Sequence, residues 1–112
     1  MKLNQVIKEL GLVVKFKVSN LDKEVSGGYA SDLLSDVMAN AKKGNIWITL
    51  QIHPNIVGVA TLKELAGIII VNAREPEGET LKKAEQENMP IMVTELPAFE
   101  IIGKLYGLLR GV

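Results

Sequence analysis

The chain is predicted to be a single α/β domain: a mainly parallel sheet of about four strands with helices on both faces. Three observations predict this. Short apolar runs alternate with stretches of helical periodicity. The run Ile68, Ile69, Ile70, Val71 has no polar alternation, as in a strand buried on both faces. The order of elements, helix and strand in turn, implies right-handed crossovers between parallel strands.

Element by element, Leu3, Val6, Ile7 and Leu10 recur at helical spacing and Gly11 follows, so residues 2–10 form a short amphipathic helix. Residues 12–18 read as the first strand, opening on Leu12, Val13, Val14 and closing on the alternation Lys15, Phe16, Lys17, Val18. A polar turn through Asn20 and Asp22 leads to a two-residue strand at Val25 and then to Gly27 and Gly28. The second helix covers about 31–42, with Leu33, Leu34, Val37, Met38 and Ala41 as its apolar stripe, Asp32 in its first turn, and Gly44 ending it. Residues 46–52 are β-rich and apolar, as in a central strand. Pro54 suits the entry to a third helix running to about Leu62. Residues 67–71 are the third main strand, and 72–78 a loop. A charged helix follows, with Glu79, Lys83 and Glu87 spaced four apart. Pro90 closes it, 91–93 is a short buried strand, and a turn from Thr94 to Pro97 opens a last helix over about 98–109.

With 112 residues, the chain has the commonest size for one domain and is too small for two ordinary ones. Hydrophobic residues make up 47% and charged residues 23%, the usage of a folding chain and not of a disordered one. Thirteen basic and thirteen acidic side chains balance, which leaves no overall field for nucleic acid or an anionic membrane. The chain has no cysteine, which excludes disulfides and thiolate chemistry and suits a reduced compartment. The first residues lack the apolar core of a signal peptide, and no run approaches the ~18 apolar residues of a membrane span. A cytoplasmic protein is expected.

In an open parallel sheet, ligands gather beyond the carboxyl ends of the strands, where loops converge and helix amino termini point outward. That rule selects Ser26, Gly27, Gly28, Tyr29 and Ser31 after the first strand, and Gln51, His53 and Asn55 after the second. It adds Asn72, Arg74 and Glu75 after the third, and Thr94 and Glu95 after the fourth. From these the candidate ligand-binding set is Gly27, Gly28, Tyr29, Ser31, His53, Asn72, Arg74 and Thr94.

Gly27 and Gly28 before a helix fit either a tight turn with positive φ or a close backbone approach to an anion. His53, the sole histidine, fits an acid, base or donor role near neutrality, or a loop or interface residue. Arg74 directly follows a buried strand, where its guanidinium can hold phosphate or carboxylate bidentately, or pair with Glu75 or Glu77. Asp32 and Asp36 stand four apart, a spacing that serves either a hard cation or a solvated helix face. No metal site and no cofactor are expected. The patterns GxxxxGK[ST], GxGxxG and GxSxG do not occur, so no catalytic residue is assigned and an enzyme is the least favoured class. Gly103, Gly107 and Gly111 recur every four residues in the last helix. Such glycines weaken a helix, so they point to close packing against the chain's own sheet or against another subunit.

The run Gly27, Gly28, Tyr29, Ala30, Ser31, Asp32, Leu33, Leu34, Ser35, Asp36, Val37, Met38, Ala39, Asn40, Ala41, followed by Gly44 and Trp47, Ile48, Thr49, resembles the DRTGG domain family. The similarity continues through 55–60 and 68–71 to Ala84, Pro90 and Ile91, nearly the whole chain. Such domains occur alone, beside CBS domains in some inorganic pyrophosphatases and within some phosphotransacetylases. They are also similar to the amino-terminal domain of HPr kinase/phosphorylase. The resemblance implies a non-catalytic, ligand-sensing or regulatory domain and a homodimer. Through the CBS association it also implies an adenine nucleotide or phosphorylated metabolite as ligand, and a partner enzyme is a further expectation. A pure interaction module without ligand is the alternative. The letters naming the family are absent, however: Val71, Asn72, Ala73 stand where Thr-Gly-Gly is expected, and Ile52, His53, Pro54 near the expected Asp-Arg. His53, Asn72 and Arg74 therefore rest on strand-end position alone.

Overall fold

A computed structural model describes residues 1–111. Ten elements follow one another: α1 (Leu3–Leu10), β1 (Val13–Val14), β2 (Gly27–Ala30), α2 (Leu34–Asn40), β3 (Asn45–Thr49), α3 (Asn55–Leu62), β4 (Gly67–Ile70), α4 (Gly78–Glu87), β5 (Ile91–Val93) and α5 (Ala98–Arg110). They form one five-stranded sheet in the order β1-β5-β4-β3-β2. Strands β2 to β5 are parallel, and β1 runs antiparallel against β5.

The apolar patterning decides the layers. In β3 and β4 every residue is buried, so alternate side chains feed two separate cores. Trp47, Ile68 and Ile70 enter a cluster with Val37, Ile56 and Ala84, which come from α2, α3 and α4. Ile46, Ile48 and Ile69 enter the other, with Leu3, Ile101 and Leu105 from α1 and α5. Helices therefore cover both faces, as expected. Among the described residues no helix is long and apolar enough to cross a membrane.

Two strand assignments are corrected. The expected strand over 12–18 shrinks to Val13–Val14, because its partner is only three residues long. Lys15 N–H still donates to the Ile91 carbonyl at 2.9 Å, but the next N–H of that strand able to face β1, on Met89, is already given to the Ala84 carbonyl at 2.9 Å at the end of the preceding helix. The larger correction concerns Gly27 and Gly28, expected in a loop that follows a strand. They open β2, and their registers are Gly27 with Asn45 and Gly28 with Ile46. The sheet thus has its fourth parallel strand where a turn was expected, and no strand forms at Val25 itself. Gly28 is bare for a packing reason: a Cβ there would meet Leu105 Cδ2 at 3.2 Å, so α5 lies close against the strand. The second helix is also shorter than expected, beginning at Leu34. Gly44 lies beyond its end, holding φ +83° on the approach to β3, and a Cβ would meet Ser26 Oγ at 2.8 Å.

The glycines of α5 separate as well. Gly111 takes the left-handed cap position, with its N–H on the Gly107 and Leu108 carbonyls. At Gly103 a Cβ would meet nothing within 4 Å, so this glycine is not explained by packing on the chain's own sheet. Val112 lies outside the described residues.

Candidate functional site

Parallel pairing gives the sheet two unlike rims. The carboxyl rim carries the loops after Ala30, Thr49, Ile70 and Val93, and these loops are laced together. The Asp32 carboxylate accepts from Thr49 Oγ1 at 2.8 Å and from the Leu50 N–H at 2.7 Å, while Gln51 Nε2 donates to the Asp32 carbonyl at 2.9 Å. Trp47, fully buried, donates its indole N–H to the Ser31 carbonyl at 2.8 Å and pins the β2–α2 loop to the core. Ser31 Oγ in turn accepts from the Leu33 N–H at 3.1 Å.

The next two loops are joined in the same way. Arg74 donates from Nη1 to the Leu50 carbonyl at 2.8 Å. Two residues further on, the Ile52 carbonyl accepts from Thr80 Oγ1 at 2.6 Å and from the Glu77 N–H at 3.2 Å. His53 Nδ1 accepts from the Asn55 N–H at 3.2 Å, capping the start of α3. His53 and Arg74 are therefore on one rim, held by adjoining loops. Of the two acids proposed as partners for Arg74, Glu75 instead bonds Lys15 at 2.7 Å. Among the described residues Arg74 makes no ion pair.

Asn72 and Ala73 follow β4 in the left-handed region, at φ +61° and +56°. Their N–H groups donate to the Leu96 carbonyl at 3.0 Å and the Thr94 carbonyl at 2.9 Å, which ties this loop to the one after β5. Because both amides are already engaged, this turn presents no empty amide cradle for an anion. Thr94 is buried, and its Oγ1 accepts from the Leu96 N–H at 3.2 Å. It lines a wide depression of about 530 Å³ with Ala73, Lys15 and Glu75, which Arg74 does not line.

Asp32 and Asp36 do not converge. Asp32 precedes α2 and faces β3, whereas Asp36 accepts from Tyr29 Oη at 2.8 Å and from Asn40 Nδ2 at 2.8 Å. Hydrogen bonding from Ser31, then from Tyr29 and Asn40, holds the Asp36 carboxyl below its ordinary range, and the same carboxylate raises the Tyr29 phenol. Among the described residues no group of three His, Asp or Glu side chains is placed to hold a metal ion.

The site residues thus fall into two places. His53, Asn72, Arg74, Thr94 and, at its border, Ser31 belong to the carboxyl rim, and of these Ser31 alone lines the rim's cleft of about 190 Å³ beside Asp32, Thr49 and Ala98. Gly27, Gly28 and Tyr29 lie instead along the outer strand. They line a groove of about 350 Å³ against Ile102, Leu105, Tyr106 and Arg110 of α5. Sequence reasoning missed Ile102 and Tyr106. Their signal was exposure of large apolar residues beside the glycine series in α5, a pattern that becomes legible only once β2 is known to be a strand.

No protein-family model and no curated protein sequence matches this chain. Its fold is shared with a solved structure of the CBS and DRTGG domains of the regulatory region of Clostridium perfringens pyrophosphatase, complexed with the activator diadenosine tetraphosphate. The TM-score is 0.65 at 14% identity, over 94% of this chain and 45% of that one. The chain spans less than half the length of that neighbour.

Proposed function

We propose that this chain is a non-catalytic regulatory domain that senses a small anionic metabolite, an adenine nucleotide being the first candidate, and acts as a homodimer in the cytoplasm. The observation that carries the reading is Arg74. Its guanidinium is steadied by one hydrogen bond to the Leu50 carbonyl and has no acidic partner among the described residues. It stands on the same rim as His53 and Asn72. A planar cation held in this way is suited to phosphate or carboxylate. The shared fold supports the regulatory part of the reading, since the neighbour's region was solved with a nucleotide activator.

Thermal unfolding with ATP, ADP, AMP and diadenosine tetraphosphate tests it. Ligand at 100 times its dissociation constant stabilises a fold by about 2.7 kcal/mol, and Arg74→Ala is expected to remove that gain, with the unliganded stability falling only by the one bond to Leu50, about 0.5–1.5 kcal/mol. No shift with any of the four contradicts the reading. It would favour a pure interaction module, for which the exposed Phe99 and Tyr106, 88% and 63% accessible, are the supporting observation.

A further inference from the structure

Strand β2 ends the sheet, and its inner side is committed to β3: beyond it, the Ser31 N–H donates to the Ile48 carbonyl at 3.2 Å. Backbone groups alternate sides along a strand. The N–H and C=O of Gly28 and Ala30 therefore point away from the sheet, and both residues are exposed. Strand β2 itself, Gly27–Ala30, carries neither Lys nor Pro to discourage another strand, two of the usual protections. Beside it α5 shows solvent Phe99, Ile102 and Tyr106, together with Gly103, whose missing side chain serves nothing inside the chain.

We propose that a second copy of this chain docks antiparallel on the β2 edge, with Gly28 of each copy pairing with Ala30 of the other and the two α5 helices lying side by side. The inference rests on the self-association proposed above and assigns its surface. Only this register uses both outward residues of both strands under a two-fold axis, giving four backbone hydrogen bonds, and a two-fold interface must be self-complementary in this way. The axis passes midway between the two copies of Tyr29, perpendicular to the sheet, so both α5 helices fall on one face. Leu105 lies over Gly28. One strand residue, about 3.3 Å, equals roughly two helix residues, which brings the axis near Gly103. There a bare backbone lets two helices approach. Antiparallel helices also carry Glu100 of one copy towards Arg110 of the other, so the charges at the two ends of α5 complement their own copies.

Sedimentation velocity of the full chain tests the surface, using Ala30→Pro and Gly103→Arg. Proline at position 30 removes an outward donor and no bond to β3, and arginine at position 103 enters open space in the single chain. The wild type is expected at twice its 12.2 kDa chain mass. Each variant should associate at least ten-fold more weakly, with an unchanged circular dichroism spectrum. If Ala30→Pro unfolds, Gly103→Arg decides. A wild-type dimer that Gly103→Arg leaves intact would overturn the interface alone, whereas a wild type that stays monomeric up to its solubility would overturn self-association as well. Neither result touches the nucleotide titration, which reads Arg74.

Discussion

The carboxyl rim and the β2–α5 flank are built from opposite materials. The rim is polar, yet its groups mostly bond one another: Asp32 to Leu50 and Thr49, Arg74 to Leu50, Asn72 and Ala73 to the loop after β5. The flank is apolar, yet its backbone groups at Gly28 and Ala30 face outward and its large side chains lie open. A crowd of polar residues therefore marks where loops brace each other as readily as where a ligand binds; Arg74 differs in bracing through Nη1 while making no ion pair among the described residues. Open binding capacity on the flank comes from backbone and apolar surface, which a search for chemical side chains passes over.

This contrast can be broken most severely at Trp47, which ties the rim to the core. Trp47→Ala is expected to cost about 3–5 kcal/mol in urea unfolding and to loosen the β2–α2 loop together with the strand pairing. Asp32→Ala should cost about 1–3 kcal/mol by the same measurement, since it strips acceptors from the Leu50 amide and the Thr49 hydroxyl. A loss near zero there would mean that the rim is not braced as described. On the flank the sign reverses. Gly103→Ala, measured at a dilution where association is negligible, is expected to stabilise the chain by about 1 kcal/mol, because the glycine has no internal role.

The smallest effect sharpens the junction of the two regions, at the Tyr29–Asp36 pair. Asp36 titrates below its unfolded value, so its contribution is full above the ordinary aspartate value of about 3.9 and is lost as pH falls through the folded value. Tyr29 titrates above its unfolded value, so its contribution is full below about 10 and is lost as pH rises through the folded value. In thermal unfolding across pH, Tyr29→Phe should shallow the acid decline, the Ser31 and Asn40 contributions remaining, and should abolish the alkaline decline due to this phenol.

Much of the fold was legible because burial dictates it. The run Ile68–Val71, short, β-branched and without polar alternation, reads as an interior strand, and Ile68–Ile70 lie in β4; the 3.6-residue period over 3–10 reads as the helix α1. Gly27 and Gly28 misled because two glycines carry no strand propensity of their own. They form a strand because β3 offers a partner and because Leu105 needs the space beside Gly28. The shortening of β1 was equally hidden, since it depends on the Met89 N–H being taken by the end of α4 and so lost to pairing. The rim rule brought His53, Asn72 and Arg74 to one edge from sequence order alone. It also carried Gly27, Gly28 and Tyr29 to that edge, wrongly, because placing a residue at a strand's carboxyl end requires knowing which strand it belongs to.

The contrast between a braced rim and an open strand edge is tested most directly by amide hydrogen exchange, followed residue by residue as protein concentration is raised. The Asn72 and Ala73 amides should exchange slowly at every concentration, whereas the Gly28 and Ala30 amides should exchange fast in dilute solution and slow as a second copy pairs with them. Gly28 and Ala30 amides that stay fast at high concentration, or Asn72 and Ala73 amides as fast as those of the open edge, would contradict it.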